Sequence, residues 1–304
     1  MTRMEANDTQ DHSGPCGGHY YQRMGWLEET IWSIPVWEIL VLAGIGLGSG
    51  MLGGLLGIGG AVVNTPAIVL ILARDIHTAQ AASMSVTFFV AAPAAYRHWK
   101  CGGLRFDLIR AIVPAALIGI LLGVTASIWM PDQELRLIFG VFLIYVLYVN
   151  FRRVIETSQQ REVRTSRPER VNIKRGTVVG SVAGFGAGLL GIGGGLITVP
   201  LTQLMCRCQL RQCIACSAAV MCVTSLVGAT YKNITLPNVP NIGDVHWWTA
   251  LTIGVWLIPT CFLGSWIGAR LTYVLPLKLV RSVFCILVAL ASWKFLSSFI
   301  ENVT

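Results

Sequence analysis

The chain has 304 residues, of which 54% are hydrophobic and only 12% are charged, and its mean hydropathy is +0.64. A soluble domain carries about 25% charged residues, so this chain has too few charges to cover a water-facing surface. The composition excludes an ordinary soluble enzyme, a nucleic-acid-binding protein and a disordered chain, and it predicts a protein that crosses a membrane several times. The net charge of +8 does not indicate a nucleic-acid partner, because +5 of it lies between Arg152 and Arg175, where eight Lys and Arg accompany three Glu.

Four segments can be distinguished along the chain. Residues 1–35 form a polar N-terminal tail without the apolar run of a signal peptide. Residues 36–151 and 176–304 are mostly apolar, and we interpret them as transmembrane repeats 1 and 2. The basic linker 152–175 joins the repeats, and a basic block between apolar runs is typical of a cytoplasmic loop.

The two apolar regions are copies of one unit. Gly54–Pro66 reads GLLGIGGAVVNTP and Gly188–Pro200 reads GLLGIGGGLITVP, so eight of thirteen positions are identical at an offset of 134 residues. The same offset pairs Ser83 with Ser217, and later in each half an offset of 145 pairs Pro114 with Pro259. A register kept over such a distance indicates an internal duplication.

In chain order, each half begins with a long stretch almost free of charge, 35–73 and 176–206, which glycines interrupt. A straight helix of about 38 residues would measure ~57 Å, whereas the hydrocarbon core of a bilayer is ~30 Å thick. We therefore expect a helical hairpin that breaks at the glycines, with a longer and a shorter arm. Three ordinary spans should follow each hairpin, at 79–96, 108–130 and 135–151 and at 213–231, 248–271 and 279–299.

The distribution of Lys and Arg predicts the topology. If each hairpin returns to its starting side, the two halves are inverted and every basic loop lies in the cytoplasm. If the hairpin counts as one crossing, Arg207 and Arg211 fall outside. We favour the first arrangement, which makes the protein an all-α polytopic membrane protein with two homologous, inverted repeats, each a Gly-broken helical hairpin plus three transmembrane helices.

The glycines divide into two groups. Those at every fourth residue form a smooth helix face and predict close helix packing; they are Gly46, Gly50, Gly54, Gly180, Gly184 and Gly188. The consecutive glycines of GIGG open the backbone instead, and broken helices in a membrane are tolerated inside protein or along a wet cavity. The free N–H groups and positive dipole at the start of a half-helix suit an anion near the midplane, although a tight turn without a ligand would use the same residues.

Polar residues near these breaks complete the predicted anion site. Hydroxyls and amides donate to oxyanions, but they also bond back to helix carbonyls. The predicted substrate-binding residues are Gly57, Gly59, Gly60, Asn64, Ser83, Gly191, Gly193, Gly194, Gly195, Thr198 and Ser217. Tyr96–Arg97 and Tyr231–Lys232 end equivalent spans, and we interpret them as interfacial anchors, with a gate for anions as the alternative.

Other chemistry has weaker support. Cys206, Cys208, Cys213 and Cys216 have spacings that zinc sites use, yet the first half has no counterpart, so we predict apolar packing and no metal. The GxGxxG matches lie inside membrane-length apolar runs, and the sequence has no hydrolase or Walker motif, which argues against an enzyme, a cofactor or an ATP-driven pump. No acidic or basic residue falls in the middle of a predicted span, so a proton coupled to transport would have to travel on the substrate.

With the duplicated GLLGIGG motifs and the segments Ala81–Ser83 and Ala215–Ser217 that follow them, the chain resembles the TauE/SafE sulfite exporter family, also called the 4-toluene sulfonate uptake permease family. The resemblance covers roughly Val36 to Phe299. It implies secondary transport of small sulfur-containing anions across a bacterial plasma membrane, the inner membrane, and it fixes neither substrate nor direction. The expected partners are the anion and the lipid bilayer but no nucleic acid, with a homodimer left open. A passive anion channel and a non-transporting membrane scaffold are the alternatives.

Overall fold

A computed structural model describes residues 36–56, 58–155, 172–208, 210–239, 247–271 and 277–303. The predicted N-terminal tail 1–35, Gly57 and most of the basic linker 152–175 lie outside the described residues.

The described chain is helical throughout and contains no strand. Its ten α-helices are α1 (Val36–Leu56), α2 (Ala61–Ile71), α3 (Ile76–Lys100), α4 (Phe106–Ile128), α5 (Asp132–Ile155), α6 (Ile173–Leu190), α7 (Gly195–Cys206), α8 (Leu210–Thr235), α9 (Trp247–Leu271) and α10 (Leu277–Val303). A single 3₁₀ turn, Leu236–Asn238, follows α8. The all-α prediction is confirmed.

Each of the six predicted ordinary spans lies on one helix of the structure. Within the described residues, five segments are long and apolar enough to cross a membrane, namely Trp37–Leu55, Phe106–Ile128, Asp132–Arg152, Gln212–Thr235 and Ala250–Gly268. The helices α2 and α7 are much shorter, with 11 and 12 residues. At ~1.5 Å per residue such a helix covers roughly half of a ~30 Å hydrocarbon core.

Glycines in left-handed conformation separate α1 from α2 and α6 from α7. The φ angles are 83° and 75° at Gly59 and Gly60, and 69° and 88° at Gly193 and Gly194. A side chain makes this backbone region costly, whereas glycine enters it freely. The long apolar stretches are therefore interrupted at the positions where the sequence predicts a break.

Two helix pairs pack with their backbones almost in contact. The glycines of α1 lie against α9, where a Cβ at Gly50 would overlap the Cys261 carbonyl, and those of α6 lie against α4, where a Cβ at Gly180 would overlap the Ile112 carbonyl. Contacts advance along both helices of each pair in the same direction, so α1 runs parallel to α9 and α6 parallel to α4. The predicted packing role of the fourth-residue glycines is confirmed.

The centre of the bundle is the antiparallel pair α3 and α8. The start of α3 meets the end of α8, where His77 contacts Lys232. At the opposite end, the loop after α3 meets the early part of α8, where the Arg105 N–H lies 3.4 Å from Cys216 Sγ. The short helices α2 and α7 pack on α3 and α8 respectively, so both glycine breaks face this central pair.

Candidate functional site

The two glycine breaks meet at one side chain, Thr87 of α3. A Cβ at Gly59 would lie 3.0 Å from Thr87 Cγ2, and a Cβ at Gly193 would lie 2.6 Å from the same atom. Gly59 also faces Met221 and Gly193 faces Ser225, both on α8. Two segments that are 134 residues apart in the chain thus converge between α3 and α8.

The carbonyls and N–H groups at the breaks point to different partners. Thr87 Oγ1 donates to the Gly59 carbonyl at 3.4 Å, and Thr224 Oγ1 donates to the Gly193 carbonyl at 3.3 Å. The N–H groups of Gly59, Gly60, Gly193 and Gly194 find no acceptor in the part of the chain that the structure describes, although all four residues are buried. A buried N–H group without an acceptor is costly, and an anion would supply the missing acceptor.

A narrow crevice runs from the second break into the bundle. Its unfilled space is about 160 Å³, and it is too tight to admit a water molecule in this conformation. Its walls are formed mainly by small residues of α4, α6, α7 and α8 and by the break itself, namely Ala116, Ala183, Gly184, Ala187, Gly193, Gly194, Thr198, Val220 and Thr224. The site is closed, so a ligand can reach it only after the surrounding helices move.

The predicted polar site residues differ in how their hydrogen bonds are satisfied. Ser83 Oγ is fully buried and has no partner, while its repeat counterpart Ser217 donates to the Gly195 carbonyl at 3.5 Å. Asn64 Nδ2 lies 3.8 Å from Cys261 Sγ, and Asn64 Oδ1 has no partner. Thr198 Oγ1 bonds back to the Gly194 carbonyl at 2.9 Å. Ser83 is therefore the side-chain hydroxyl that a substrate would satisfy most directly.

The other predicted glycines lie on the rim of the second break. Gly191 ends α6 with a φ of 69°, and a Cβ there would lie 2.6 Å from Gln80 Cβ. Gly195 is the first residue of α7. Gln80 itself donates to the Leu189 carbonyl at 3.3 Å and keeps its Oε1 unpartnered. The break is thus held against α3 by close contact.

The four cysteines of the predicted packing cluster are buried and carry free thiols. The thiols of Cys208, Cys213 and Cys216 donate to nearby backbone carbonyls at 3.6–3.7 Å. In the described part of the chain, no group of three or more His, Cys, Asp or Glu residues is arranged to hold a metal ion. The sulfur contacts are those of residues packed at a helix junction.

One buried cation was misplaced by the sequence analysis. Lys232 is not an interfacial anchor, because its side chain is 0% exposed. Helix α8 continues to Thr235 and keeps the side chain inside the protein, where its Nζ lies 3.3 Å from His77 Nδ1 and donates to Ser127 Oγ. The available signal was the seven-residue spacing from Ser225, which puts both residues on one face of α8. Tyr96, by contrast, is 54% exposed, as an anchor should be.

The matching family model, described as Sulfite exporter TauE/SafE, aligns with residues 42–295 and so includes both breaks and the central helices. The chain belongs to the TauE/SafE sulfite exporter family. The resemblance drawn from the glycine motifs is thereby confirmed, and with it the assignment to a family of membrane transporters.

Curated relatives carry names that agree with this family. The chain is 23% identical over 288 residues to the probable membrane transporter protein MamO of Paramagnetospirillum magneticum, covering 86% of this chain and 45% of MamO. It is 25% identical to the probable membrane transporter protein YunE of Bacillus subtilis, covering 83% of this chain and 95% of YunE. A probable membrane transporter protein of Haemophilus influenzae is 23% identical, with 82% and 94% covered.

The chain spans about half the length of the MamO proteins it matches. No solved structure matches it.

Proposed function

We propose that this protein is a secondary transporter that moves small sulfur-containing anions, such as sulfite or sulfonates, across the plasma (inner) membrane. The observation that carries the proposal is the convergence of the two glycine breaks on Thr87. Family membership supports transport as the activity, and the chemistry of the breaks supports an anion as the cargo.

The breaks suit an oxyanion because they offer donors without a fixed charge. Buried N–H groups at Gly59, Gly60, Gly193 and Gly194 stand at the starts of α2 and α7, where the helix dipoles are positive. A hydrogen bond to a charged group contributes roughly 1.5–3 kcal/mol. Several such bonds, joined by Ser83, offset much of the cost of dehydrating an anion while still allowing its release.

The proposed architecture places this site between two inverted repeats, each with a helical hairpin bent at its break. Three packing directions support it. The α3–α8 pair is antiparallel, as equivalent helices of inverted repeats must be, while the α1–α9 and α6–α4 pairs are both parallel. Repeats of the same orientation would instead bring the starts of α3 and α8 to one side.

The closed crevice favours a carrier over a passive channel. A channel keeps a continuous path for its ion, whereas the space beside the second break excludes even water in this conformation. A scaffold protein would use the same glycine packing, but it has no need for unpartnered N–H groups at two converging breaks.

Counterflow in proteoliposomes tests the proposal. Purified protein is reconstituted, the vesicles are loaded with unlabelled anion, and entry of the labelled anion is followed for sulfite, thiosulfate, sulfoacetate and a simple sulfonate. Saturable counterflow of at least one of these anions above protein-free vesicles is expected. Non-saturating flux without counterflow would indicate a channel, and absence of flux for every anion would favour the scaffold.

A further inference from the structure

The buried Lys232 is a charge that the anion site does not use. Its Nζ contacts His77 Nδ1 at 3.3 Å and donates to Ser127 Oγ. Among the described residues, no carboxylate oxygen lies within ion-pair distance of this nitrogen. An ammonium held away from water without a paired carboxylate is costly, so the group has reason to exist both with and without its proton.

Charged groups that face the pair come from α5 and the residue before α3. Asp75 acts electrostatically on Lys232, and Asp132 acts on His77. Both carboxylates are already engaged: Asp75 accepts from the Thr78 N–H at 2.7 Å, and Asp132 accepts from the Ile76 N–H at 3.0 Å and from Arg136 at 2.6 Å. They stabilise a positive charge near Lys232 without closing an ion pair on it.

The amine and the imidazole form a site for one proton. Two bases 3.3 Å apart, both almost fully buried, do not carry two positive charges at once, because like charges at that distance repel strongly. If Lys232 holds the proton, His77 Nδ1 accepts a hydrogen bond from it. Ser127 Oγ accepts in the same state, and as a hydroxyl it can instead donate to the neutral amine.

A line of buried polar side chains connects this pair to the glycine breaks. His77, Gln80, Ser83 and Thr87 follow one another on α3 at intervals of three, three and four residues, so they share one face of the helix. His77 Nε2, Gln80 Oε1 and Ser83 Oγ have no partner, and Thr87 is the residue on which both breaks converge. The distance from His77 to Thr87 along the helix is ~15 Å, about half of the hydrocarbon core.

We propose that Lys232, with His77 and Ser127, is a proton-binding site that couples proton movement to anion transport. The inference rests on the proposed transport function. A proton from the water on one side binds the lone pair of Lys232 Nζ and later leaves to the water on the other side, with no other bond made or broken. The neutral and charged states of Lys232 differ in how the end of α8 binds α3 and α4, and this difference links the proton to the helices around the anion.

The test uses thiosulfate and a simple sulfonate in proteoliposomes, because these anions stay fully ionised near neutral pH and any coupled proton must then be carried by the protein. Wild-type protein should show counterflow and should also accumulate anion when a pH gradient is applied. Lys232→Met should retain counterflow but lose gradient-driven accumulation. Lys174→Met, which changes an exposed lysine at the start of α6, should behave like wild type.

The outcomes separate the two proposals. Absence of wild-type counterflow refutes anion transport itself. Intact counterflow with no response to the gradient, or normal accumulation by Lys232→Met, overturns only the proton site. If Lys232→Met does not fold, His77→Gln and Ser127→Ala take its place, since each keeps the amine and should shift the pH dependence of accumulation; an unchanged dependence in both would equally overturn the proposal.

Discussion

At the scale of single residues, Gly193 combines two constraints that no other amino acid satisfies. Its φ of 69° lies in the left-handed region, and a Cβ would lie 2.6 Å from Thr87 Cγ2. The left-handed conformation alone costs a side-chain-bearing residue roughly 1–2 kcal/mol. The residue therefore sets both the backbone path at the second break and its approach to α3.

We expect Gly193→Ala to abolish anion counterflow, because the added methyl group displaces Thr87 and closes the space between the breaks. Gly48→Ala is the matched control, since a Cβ at that helical glycine meets open space and counterflow should persist. Membrane insertion and monodispersity of both variants are measured alongside. If Gly193→Ala is well folded and transports like wild type, the breaks are turns without a ligand.

Ser83 offers a subtler change at the same scale. Its hydroxyl is buried without a partner, so Ser83→Ala should leave the free energy of unfolding unchanged or raise it. Loss of one donor to the anion should weaken apparent affinity about tenfold, equivalent to about 1.4 kcal/mol. The measurement is the KM for counterflow together with thermal unfolding.

Ser297→Ala, near the end of α10, removes a hydroxyl that bonds back to the Lys294 carbonyl far along the chain from the breaks and should leave the KM unchanged. An unaltered KM in Ser83→Ala would remove this side chain from the site. Ser217 is expected to contribute less, because its hydroxyl already donates to the Gly195 carbonyl.

At the scale of helices, the fourth-residue glycines determine how closely the pairs pack. A Cβ at Gly180 would overlap the Ile112 carbonyl and lie 3.0 Å from the Ala116 N–H nitrogen, both on the backbone of α4. A backbone neighbour cannot rotate away as a side chain can, so the two helices themselves must separate. Packing at these positions is therefore a property of the pair.

Gly180→Ala should lower the free energy of unfolding by roughly 1–3 kcal/mol, the usual range for overpacking, and should spare substrate affinity in the molecules that remain folded. Thermal unfolding in detergent measures the first effect and anion binding to the folded fraction the second. Gly44→Ala, also in a helix but with nothing near its Cβ, serves as control. A melting temperature equal to that of wild type would contradict the packing role.

At the scale of the whole molecule, the inverted arrangement fixes which loops share a side. Single cysteines introduced into a Cys-free background at Gln160 and Leu275 should react only from the cytoplasm, and one at Pro240 only from outside. All three positions lie outside the described residues. Labelling of position 275 from outside would contradict the inverted repeats, and retained transport by the Cys-free background would show that the cysteine cluster is dispensable.

The sequence predicted the helices and their breaks because both depend on local signals. Apolar runs determine the spans, and consecutive glycines interrupt them wherever they occur. The pairing of Lys232 with His77 could not be predicted in this way, since the two residues are 155 positions apart and the end of α8 looked like the end of a span. Convergence of both breaks on Thr87 likewise depends on how α3 is placed, which no short motif specifies.

The exchange of helices between the halves has a consequence for biogenesis. Helix α1 packs against α9 and α6 against α4, so the first helix made by the ribosome has no partner until almost the whole chain has been translated. Its glycine face must wait in lipid or against the insertion machinery, and a truncated product that ends in the linker has no way to cover it. Neither half should accumulate when expressed alone, whereas the two halves co-expressed as separate polypeptides should rescue each other from degradation.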